Sequence, residues 1–540
     1  MKEILMLNGE SLTIRDTVRV ARGTTGEYQV QISEDSRERI VRTREYIEKN
    51  WMTSDAPPIY GFTTGLGKLK DTRISPQDNE RFQYNTIMAV CGGLGEPLPE
   101  DVVRAAMLIR VNLFCTGVCG IRIEAVDRLL EMLNRGVHPV VPTLGSVGCS
   151  GDLPPLAHIV SVMIGHERAE AFYQGKRMAA RAALEAAGME PEFTLKAKDA
   201  LSLINGTTVF AGYAALNVHD AAELVKMADV TGALSLEAVR GELNAFDPRY
   251  QVVGRHPGQR DVAANILQLV QGSTRCTDEA RMVHLKNDIL HPEYSPRIQD
   301  VLSLRCMPQV HGAVRDNLAY VSQTIERELN AVTDNPLVFW NDAEQLDFCS
   351  GGNSHGEPIG FAMDILCMSI ADLGNIAERR VFMLCDPTLS YGIPPMLAGE
   401  PAGVNCGYPV ISCAAAALAS ENKTLSFPST ADSITTKSSQ EDHVSMAPWA
   451  ARKARMVLKN FEKILAIETL IATQAISMTE AEMPAFILGD GTRRAYEAVR
   501  REFSATNGDE YMPDQSGPCV RLVETRALLK AAEGPSGSLK

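Results

Sequence analysis

Four long segments of this chain repeat apolar residues at the spacing of an α-helix. They are residues 211–234, 313–329, 359–384 and 450–476. In the last segment Val457, Phe461 and Leu465 lie on an apolar stripe that charged residues such as Glu468 interrupt. Alternating strand–helix–strand units do not occur in the sequence. The pattern therefore predicts a mostly α protein built around a long-helix bundle.

The N-terminal part of the chain has a more mixed pattern. Short β-like patches occur at residues 11–14 and 28–32, and helical patterns follow at residues 37–50, 102–113 and 124–133. We therefore predict three regions. They are a small mixed N-terminal domain (1–205), a central long-helix bundle (206–512) and a polar C-terminal tail (513–540).

The composition argues against two classes of protein. The 540 residues carry a formal net charge of −14 and contain no basic run, whereas a nucleic-acid surface needs a basic face to replace phosphate counterions. The start of the chain lacks the apolar stretch of a signal peptide, and no run of about 18 apolar residues predicts a membrane span. We expect a cytoplasmic protein that binds neither nucleic acid nor membrane.

Sequence motifs for metal and nucleotide sites are missing as well. The 12 cysteines form no C-x-x-C framework, and the 10 histidines form no H-E-x-x-H motif. Residues 61–69 resemble a phosphate loop only faintly, because the glycine spacing before Lys68 is wrong and Leu69 replaces the metal-binding hydroxyl. The sequence therefore predicts no metal and no nucleotide.

One segment, Gly148 to His158, carries unusual chemistry. Its glycines and prolines predict an ordered loop between helices, and a bare Ser-Gly pair is usually a turn. Here the Gly151 nitrogen could attack the Cys149 carbonyl. Loss of water from the ring and from Ser150 would then leave a conjugated methylidene-imidazolone. Such an electrophile can turn an α-amino group into a good leaving group, which points to ammonia elimination.

This segment resembles the signature of the histidine, phenylalanine and tyrosine ammonia-lyase family, in which Ala is commonest at the position of Cys149. Further segments resemble the family in the family's order: residues 60–67 (YGFTTGLG), 201–207 (LSLINGT), 255–259 (RHPGQ), 299–310 (QDVLSLRCMPQV), 330–337 (NAVTDNPL) and 351–358 (GGNSHGEP). The resemblance extends from about Tyr60 to Ile476. It implies the family's helical fold and a 4-methylidene-imidazol-5-one (MIO) group, formed autocatalytically from Cys149-Ser150-Gly151.

The resemblance also implies roles for individual residues. Tyr60 corresponds to the base that removes the β-proton, and the Asn205 amide corresponds to a hydrogen-bonding group for the ring or the substrate. Arg305 corresponds to a clamp for the substrate carboxylate, since its planar fork binds a carboxylate with two hydrogen bonds. Asn335 is expected to contact the same carboxylate, and Gln299 is expected to bind substrate.

Three departures from the family pattern concern the substrate pocket. Leu302 stands where the family usually has a Tyr near the leaving amine, and Ser354 stands where it has a Phe near the ring. Val90, in a selector segment with Met88 and Ala89, occupies the position of a recognition His in histidine ammonia-lyases. The resemblance therefore implies a pocket of altered shape.

Two C-terminal segments, 420–423 (SENK) and 440–446 (QEDHVSM), resemble the histidine branch more than the other branches. Glu421 is thereby a candidate partner of an imidazole or a similar heterocycle. The resemblance implies elimination of ammonia from histidine or from an aromatic or heteroaromatic α-amino acid, giving an α,β-unsaturated acid. It also implies a homotetramer in which neighbouring subunits complete each site, without a diffusible cofactor.

Three alternatives are open at this point. A 2,3-aminomutase would return the ammonia to the β-carbon and form a β-amino acid. A relative similar to ergothionase would eliminate trimethylamine from a histidine betaine without an MIO group, which the departures at Val90, Cys149, Leu302 and Ser354 allow. A scaffold protein would keep the fold but leave the triplet backbone intact and turn over no substrate.

Overall fold

The computed structural model describes residues 3–53, 55–288 and 298–540. The chain forms two compact units. The first comprises Met1–His219, Val321–Asp364 and Pro428–Arg452, and the second comprises Asp220–Tyr320, Ile365–Phe427 and Lys453–Lys540. The domain boundaries expected from the sequence, at residues 205 and 512, stay a prediction.

Helices make up most of the described chain. The first ten are α1 (Ile14–Arg22), α2 (Glu34–Asn50), α3 (Asn79–Val90), α4 (Glu100–Phe114), α5 (Ile123–Arg135), α6 (Pro154–Met163), α7 (Ala180–Ala186), α8 (Asp199–Ile204), α9 (Thr208–Ala238) and α10 (Pro248–Gly254). The next ten are α11 (Pro257–Leu269), α12 (Asp278–Arg281), α13 (Leu302–Arg305), α14 (Met307–Glu328), α15 (Glu357–Cys385), α16 (Pro409–Leu425), α17 (Ala447–Thr479), α18 (Asp490–Glu502), α19 (Pro513–Glu524) and α20 (Ala527–Glu533). Helices α9, α15 and α17 contain three of the apolar-periodic segments, and α14 contains the fourth except for its last residue, Leu329. The prediction of a mostly α protein with long helices is confirmed.

The strands are short and form small sheets. They are β1 (Glu3–Leu7), β2 (Tyr28–Ile32), β3 (Leu94–Pro97), β4 (His138–Pro139), β5 (Pro142–Leu144), β6 (Glu170–Tyr173), β7 (Lys176–Ala179), β8 (Leu337–Trp340) and β9 (Leu346–Cys349). β1 and β2 pair in parallel, with Glu3 opposite Tyr28. The other pairs, β3–β5, β4–β6, β6–β7 and β8–β9, are antiparallel. All nine strands of the described residues lie in the first unit, seven of them within residues 1–205 and β8 and β9 beyond them.

One predicted strand is wrong. The pattern of residues 11–14 predicts a strand, but the structure begins α1 at Ile14 and places β1 earlier, at Glu3–Leu7. Thr13 is the N-cap of α1, and its Oγ1 accepts a hydrogen bond from the backbone N of Asp16 at 3.1 Å. Thr is favoured both in strands and at N-caps. Here the capping hydrogen bond favours the start of a helix over a strand. The patterns at residues 28–32 and 37–50 are found as β2 and α2.

Helix α15 is long and apolar enough to cross a membrane by length and composition alone. In its most apolar stretch, 72% is buried inside the protein. A helix that is apolar on all sides is typical of a protein core as well as of a membrane. The helix is therefore weak evidence for a membrane span.

A buried ionic cluster joins three long helices within the second unit. Glu468 of α17 accepts hydrogen bonds from Thr231 Oγ1 at 2.6 Å and Ser235 Oγ at 2.8 Å, both on α9. It also pairs with Arg380 of α15, and all four residues are fully buried. Buried charges are tolerated when they are paired and hydrogen-bonded. The charge that interrupts the apolar stripe of α17 is therefore satisfied by neighbouring helices.

The segment after residue 512, predicted to be a polar tail, contains helices α19 and α20. Both belong to the second unit. Cys519 and Val523 of α19 and Leu528 of α20 are fully buried there. The polar composition of this segment thus accompanies two helices that are packed into a folded unit.

Candidate active site

The Cys149-Ser150-Gly151 triplet lies in a turn between β5 and α6, which confirms the predicted loop. Gly148 and Gly151 form a two-residue antiparallel bridge around the turn. Ser146 Oγ donates to the Gly151 carbonyl at 3.0 Å, and Ser445 Oγ donates to the Gly148 carbonyl at 3.2 Å. Hydrogen bonds therefore hold the backbone on both sides of the triplet.

Gly151 and Gly206 are in close contact because neither has a side chain. Gly151 has φ +79°, and a Cβ on it would lie 2.1 Å from the Gly206 carbonyl oxygen. Gly206 has φ +153°, and a Cβ on it would lie 2.1 Å from a guanidinium nitrogen of Arg110. Only glycine adopts these conformations at so little steric cost. The triplet is thus held in a tight backbone turn against Gly206, just before the start of α9.

Asp152 anchors the triplet to α9. Its carboxylate accepts hydrogen bonds from the backbone N of Val209 at 2.7 Å and of Phe210 at 3.3 Å. These N–H groups belong to the first turn of the helix, where backbone donors lack partners within the helix. Burial raises the pKa of the Asp152 carboxyl to about 8, although these hydrogen bonds and the charge of Arg110 lower it.

Asn205 links the triplet to the loop that carries Asn335. With its amide oriented to satisfy both neighbours, Asn205 donates to the Ser150 carbonyl at 3.0 Å and accepts from the backbone N of Asn335 at 3.0 Å. The Asn335 side-chain oxygen accepts from the backbone N of Gly351 at 2.8 Å and from Ser350 Oγ at 3.1 Å. The structure therefore brings together four of the segments singled out in the sequence.

Glu441 is the carboxylate in direct contact with the triplet, and the sequence analysis assigned it no role. It accepts hydrogen bonds from Ser150 Oγ and from Cys149 Sγ, the latter at 2.6 Å. Lys437 Nζ lies 2.8 Å from the same carboxylate. The sequence signal that could have pointed to Glu441 was its position in the segment QEDHVSM, which resembles the histidine branch. Glu421, the carboxylate named instead, is exposed on α16 in the second unit.

The pKa values of Glu441 and Cys149 shift in opposite directions. Burial raises the pKa of Glu441, but hydrogen bonds from Cys149, Lys437 and Ser150 outweigh it and leave the pKa below its ordinary value. Burial raises the pKa of the Cys149 thiol, and its hydrogen bond to Glu441 raises it further. Glu441 is therefore a charged acceptor, and Cys149 is a protonated donor.

Tyr60 occupies a turn fixed by the apolar core of the first unit. The neighbouring Phe62 is fully buried, and its ring packs edge-on against Trp51 with centroids 5.4 Å apart. The Tyr60 hydroxyl is half-buried and accepts a hydrogen bond from the backbone N of Gly67 at 3.1 Å. The loop that should carry the base is thus ordered, with the hydroxyl directed by a backbone donor.

The selector residues lie in the last turn of α3. Met88 and Val90 are half-buried, and Ala89 is exposed. Just beyond the helix, the backbone N of Gly93 donates to His158 Nε2 on α6 at 3.1 Å. Burial lowers the pKa of His158, so its neutral ring accepts this bond and fixes the end of the selector segment. Ser354 is almost completely buried.

The remaining predicted residues belong to the second unit. Arg305 and Gln299 line a cavity of about 420 Å³. Arg305 is half-buried, and among the described residues its Nε has no hydrogen-bond partner. Gln299 and Leu302 are exposed. A guanidinium with an unused donor at a cavity is suited to binding an anion.

Comparisons with known proteins identify the family. The aromatic amino acid lyase family model matches residues 12–501. A histidine ammonia-lyase of Alkaliphilus oremlandii is 42% identical over 99% of both chains. One of Caldanaerobacter subterraneus is 43% identical over 97% of both chains. These matches cover both units of the chain.

Solved structures have the same fold. Histidine ammonia-lyase from Trypanosoma cruzi superposes with a TM-score of 0.85 at 34% identity, covering 98% of this chain and 95% of the other. Tyrosine aminomutase from Streptomyces globisporus gives 0.90 at 32%, over 99% and 100%. Ergothionase from Treponema denticola gives 0.87 at 26%, over 98% and 100%. This protein belongs to the aromatic amino acid lyase family and is a carbon–nitrogen lyase that eliminates ammonia.

Proposed function

We propose that this protein is a histidine ammonia-lyase that forms an MIO group from Cys149-Ser150-Gly151. The observation that carries the substrate assignment is the 42–43% identity, over nearly the whole chain, to proteins named histidine ammonia-lyase. Among the solved structures, identity is 34% to a histidine ammonia-lyase, 32% to the aminomutase and 26% to ergothionase. The comparisons therefore favour ammonia elimination over both alternatives.

The backbone of the triplet supports the MIO proposal. Cyclisation needs the Gly151 nitrogen and the Cys149 carbonyl carbon at bonding distance, and the tight turn against Gly206 has no room for a side chain at position 151. The Asn205 donor to the Ser150 carbonyl holds the middle residue. The group would supply an electrophile that converts the substrate's amino group into a leaving group.

Glu441 is proposed to act before and after the group has formed. Before the group forms, Glu441 accepts a hydrogen bond from the Ser150 hydroxyl. When Ser150 loses that hydroxyl as water, the carboxylate loses a donor and becomes an available acceptor. An ammonium or an imidazole N–H of the substrate would take the place of the Ser150 hydroxyl as the donor. The carboxylate can accept this bond because its pKa lies below the ordinary value, so that it stays charged.

Tyr60 is proposed as the general base. The Tyr60 oxygen, directed by the Gly67 N–H, can take the β-proton as a phenolate if the substrate lies between it and the triplet, since proton transfer needs hydrogen-bond reach. Arg305, Asn335 and Gln299 are proposed to bind the substrate carboxylate. Met88, Ala89, Val90, Leu302 and Ser354 are proposed to shape the pocket, with Glu421 as a further imidazole partner.

We also propose a cytoplasmic homotetramer in which neighbouring subunits complete each active site. The unused Nε donor of Arg305 agrees with a site completed by other groups. Sedimentation of the purified protein would give the mass of the assembly directly. Mixing inactive Ser150→Ala chains with inactive Arg305→Gln chains should restore activity if the two residues act in one site from different subunits.

The first experiment is the mass of the proteolytic peptide that contains Cys149 to Gly151. Loss of two waters from the encoded mass is the expected result. The same preparation should then release ammonia from histidine in step with an ultraviolet-absorbing conjugated acid. An unmodified peptide in folded, inactive protein would contradict the proposal. A modified peptide with β-amino acid as the main product would replace it by an aminomutase.

A further inference from the structure

Three side chains of the first unit form a cluster that the proposed reaction does not use. One ligand atom from each of His355, Glu357 and His443 can be chosen so that all three lie within 4.8 Å of one another. His443 Nδ1 is 3.2 Å from His355 Nε2, and His355 Nδ1 is 3.4 Å from Glu357 Oε2. The two imidazole rings stack, with centroids 5.2 Å apart. Three potential ligands thus converge on one point.

The backbone fixes two sides of this cluster. Glu357 is the first residue of α15, and the backbone N of His355 donates to the Gly352 carbonyl at 3.0 Å. His443 lies in a segment held by the bond from the Val444 N to Ser433 Oγ at 3.2 Å. The ligand atoms are therefore presented from ordered positions rather than from freely moving chains.

A second observation points to a ligand. Glu357 Oε2 is buried. Its contact with His355 Nδ1 spans 3.4 Å and is not a hydrogen bond, so among the described residues this oxygen accepts none. A buried carboxylate oxygen without a donor is costly. A cation between Glu357 and the two rings would satisfy it.

The donor set defines the class of ion. Two imidazoles and one carboxylate are the protein ligands of many zinc sites, in which a fourth position is left to water. Ligand atoms about 2.1 Å from a tetrahedral ion lie about 3.4 Å apart, so the three ligand atoms, which lie within 4.8 Å of one another, would have to move closer together around an ion. Imidazole ligands favour zinc, copper, nickel and cobalt over magnesium and calcium. His443 is exposed, so an ion can enter from solvent.

We propose that His355, Glu357 and His443 bind one divalent transition-metal ion of the zinc class. The sequence analysis predicted no metal because it searched for ligands at short spacing, such as H-E-x-x-H. Here the second histidine lies 88 residues after the first, and only the fold brings them together. The cluster borders the active site, since His355 follows Ser354 and His443 lies two residues after Glu441.

The test uses Co²⁺ as a spectroscopic probe. The full-length protein is stripped with a chelator and titrated with Co²⁺ at pH 7.5, and the visible absorption is recorded. One Co²⁺ per chain with visible bands typical of nitrogen and oxygen ligands is expected, and Zn²⁺ should remove them. His355→Ala and His443→Ala should each weaken binding by more than about 100-fold, beyond the roughly 10- to 100-fold loss that is usual for a residue that only supports a ligand.

His256→Ala is the matched control, because His256 is an exposed histidine of the second unit and its loss should leave binding unchanged. Glu357→Gln keeps the size of the side chain and tests the third ligand if a histidine variant does not fold. Bands that survive unchanged in His443→Ala or in Glu357→Gln would overturn the proposal. So would strong sulfur-to-cobalt absorption, which would assign the ion to a cysteine, or an absence of binding.

Discussion

Two glutamates of this protein have nearly the same partners but sit in different surroundings. Glu441, in the first unit, accepts from the hydroxyl of Ser150 and the thiol of Cys149, and it pairs with Lys437. Glu468, in the second unit, accepts from two hydroxyls and pairs with Arg380. Each carboxylate thus holds two neutral donors and one cation.

The two carboxylates differ in how exposed they and their charged partners are to solvent. The side chain of Glu441 is 15% exposed and Lys437 is 50% exposed, in a stretch of turns and short 3₁₀ helix. Glu468 and Arg380 are fully buried on long helices. Removing one member of a buried pair leaves an uncompensated charge, whereas an exposed pair contributes little to stability. The same set of partners therefore accompanies a proposed reactive group in the first unit and rigid packing in the second.

The largest effect is expected from Ser150→Ala. This variant cannot lose water from the side chain at position 150, so the two-water mass loss should disappear. Activity should fall on the order of 10³-fold or more, as when a residue essential to the chemistry is removed. Ser235→Ala is the control beside Glu468. It should keep the mass loss and the activity while lowering the melting temperature, and equal activity of both variants would break the comparison.

The second test exchanges the two carboxylates for amides. Glu441→Gln should lower kcat about 10²- to 10⁴-fold, the range for a positioned acid–base or binding group, with little change in melting temperature. Glu468→Gln should instead cost about 3–5 kcal/mol of folding free energy, because Arg380 is left buried without a counter-charge. Its kcat for the folded fraction should stay close to that of the parent. Activity assays measure kcat, and thermal melts measure stability, for both variants.

Asp152 extends the comparison to a fully buried carboxyl group that is held by backbone donors. Its pKa of about 8 lies above the usual value of about 3.8, so the folded state binds more protons than the unfolded state between these values. The free energy of unfolding should therefore decrease as the pH rises from about 4 to 8, by at most about 1.4 kcal/mol per pH unit. Urea unfolding of the parent and of Asp152→Asn across this range measures it. The variant should show a flatter profile, and identical slopes would contradict the assignment.

The smallest effect is expected from Cys149→Ala. The residue contributes its carbonyl to the proposed ring, while its thiol stays outside and donates one hydrogen bond to Glu441. One net hydrogen bond is worth about 0.5–1.5 kcal/mol, so kcat should change by no more than about tenfold and the mass loss should remain. A peptide without the mass loss would show that the thiol is needed for ring formation.

The sequence predicted features that depend on local pattern. Helical periodicity found the four long helices, and the Gly148–His158 segment identified the reactive turn and the family. The strand at residues 11–14 failed because one capping hydrogen bond from Thr13 decided between two structures. Glu441 was missed as a contact of the triplet because it lies 291 residues after Ser150, and a pairing at that separation depends on the fold.

The contact of Gly151 with Gly206 also limits how this enzyme can be re-engineered. Random libraries aimed at new amino-acid substrates should leave both glycines unchanged, because each position has only about 2.1 Å between a would-be Cβ and the atom facing it. Diversity is better directed to Met88, Val90 and Ser354, which lie outside this contact. Most changes at the two glycines would produce inactive clones, whatever substrate the screen uses.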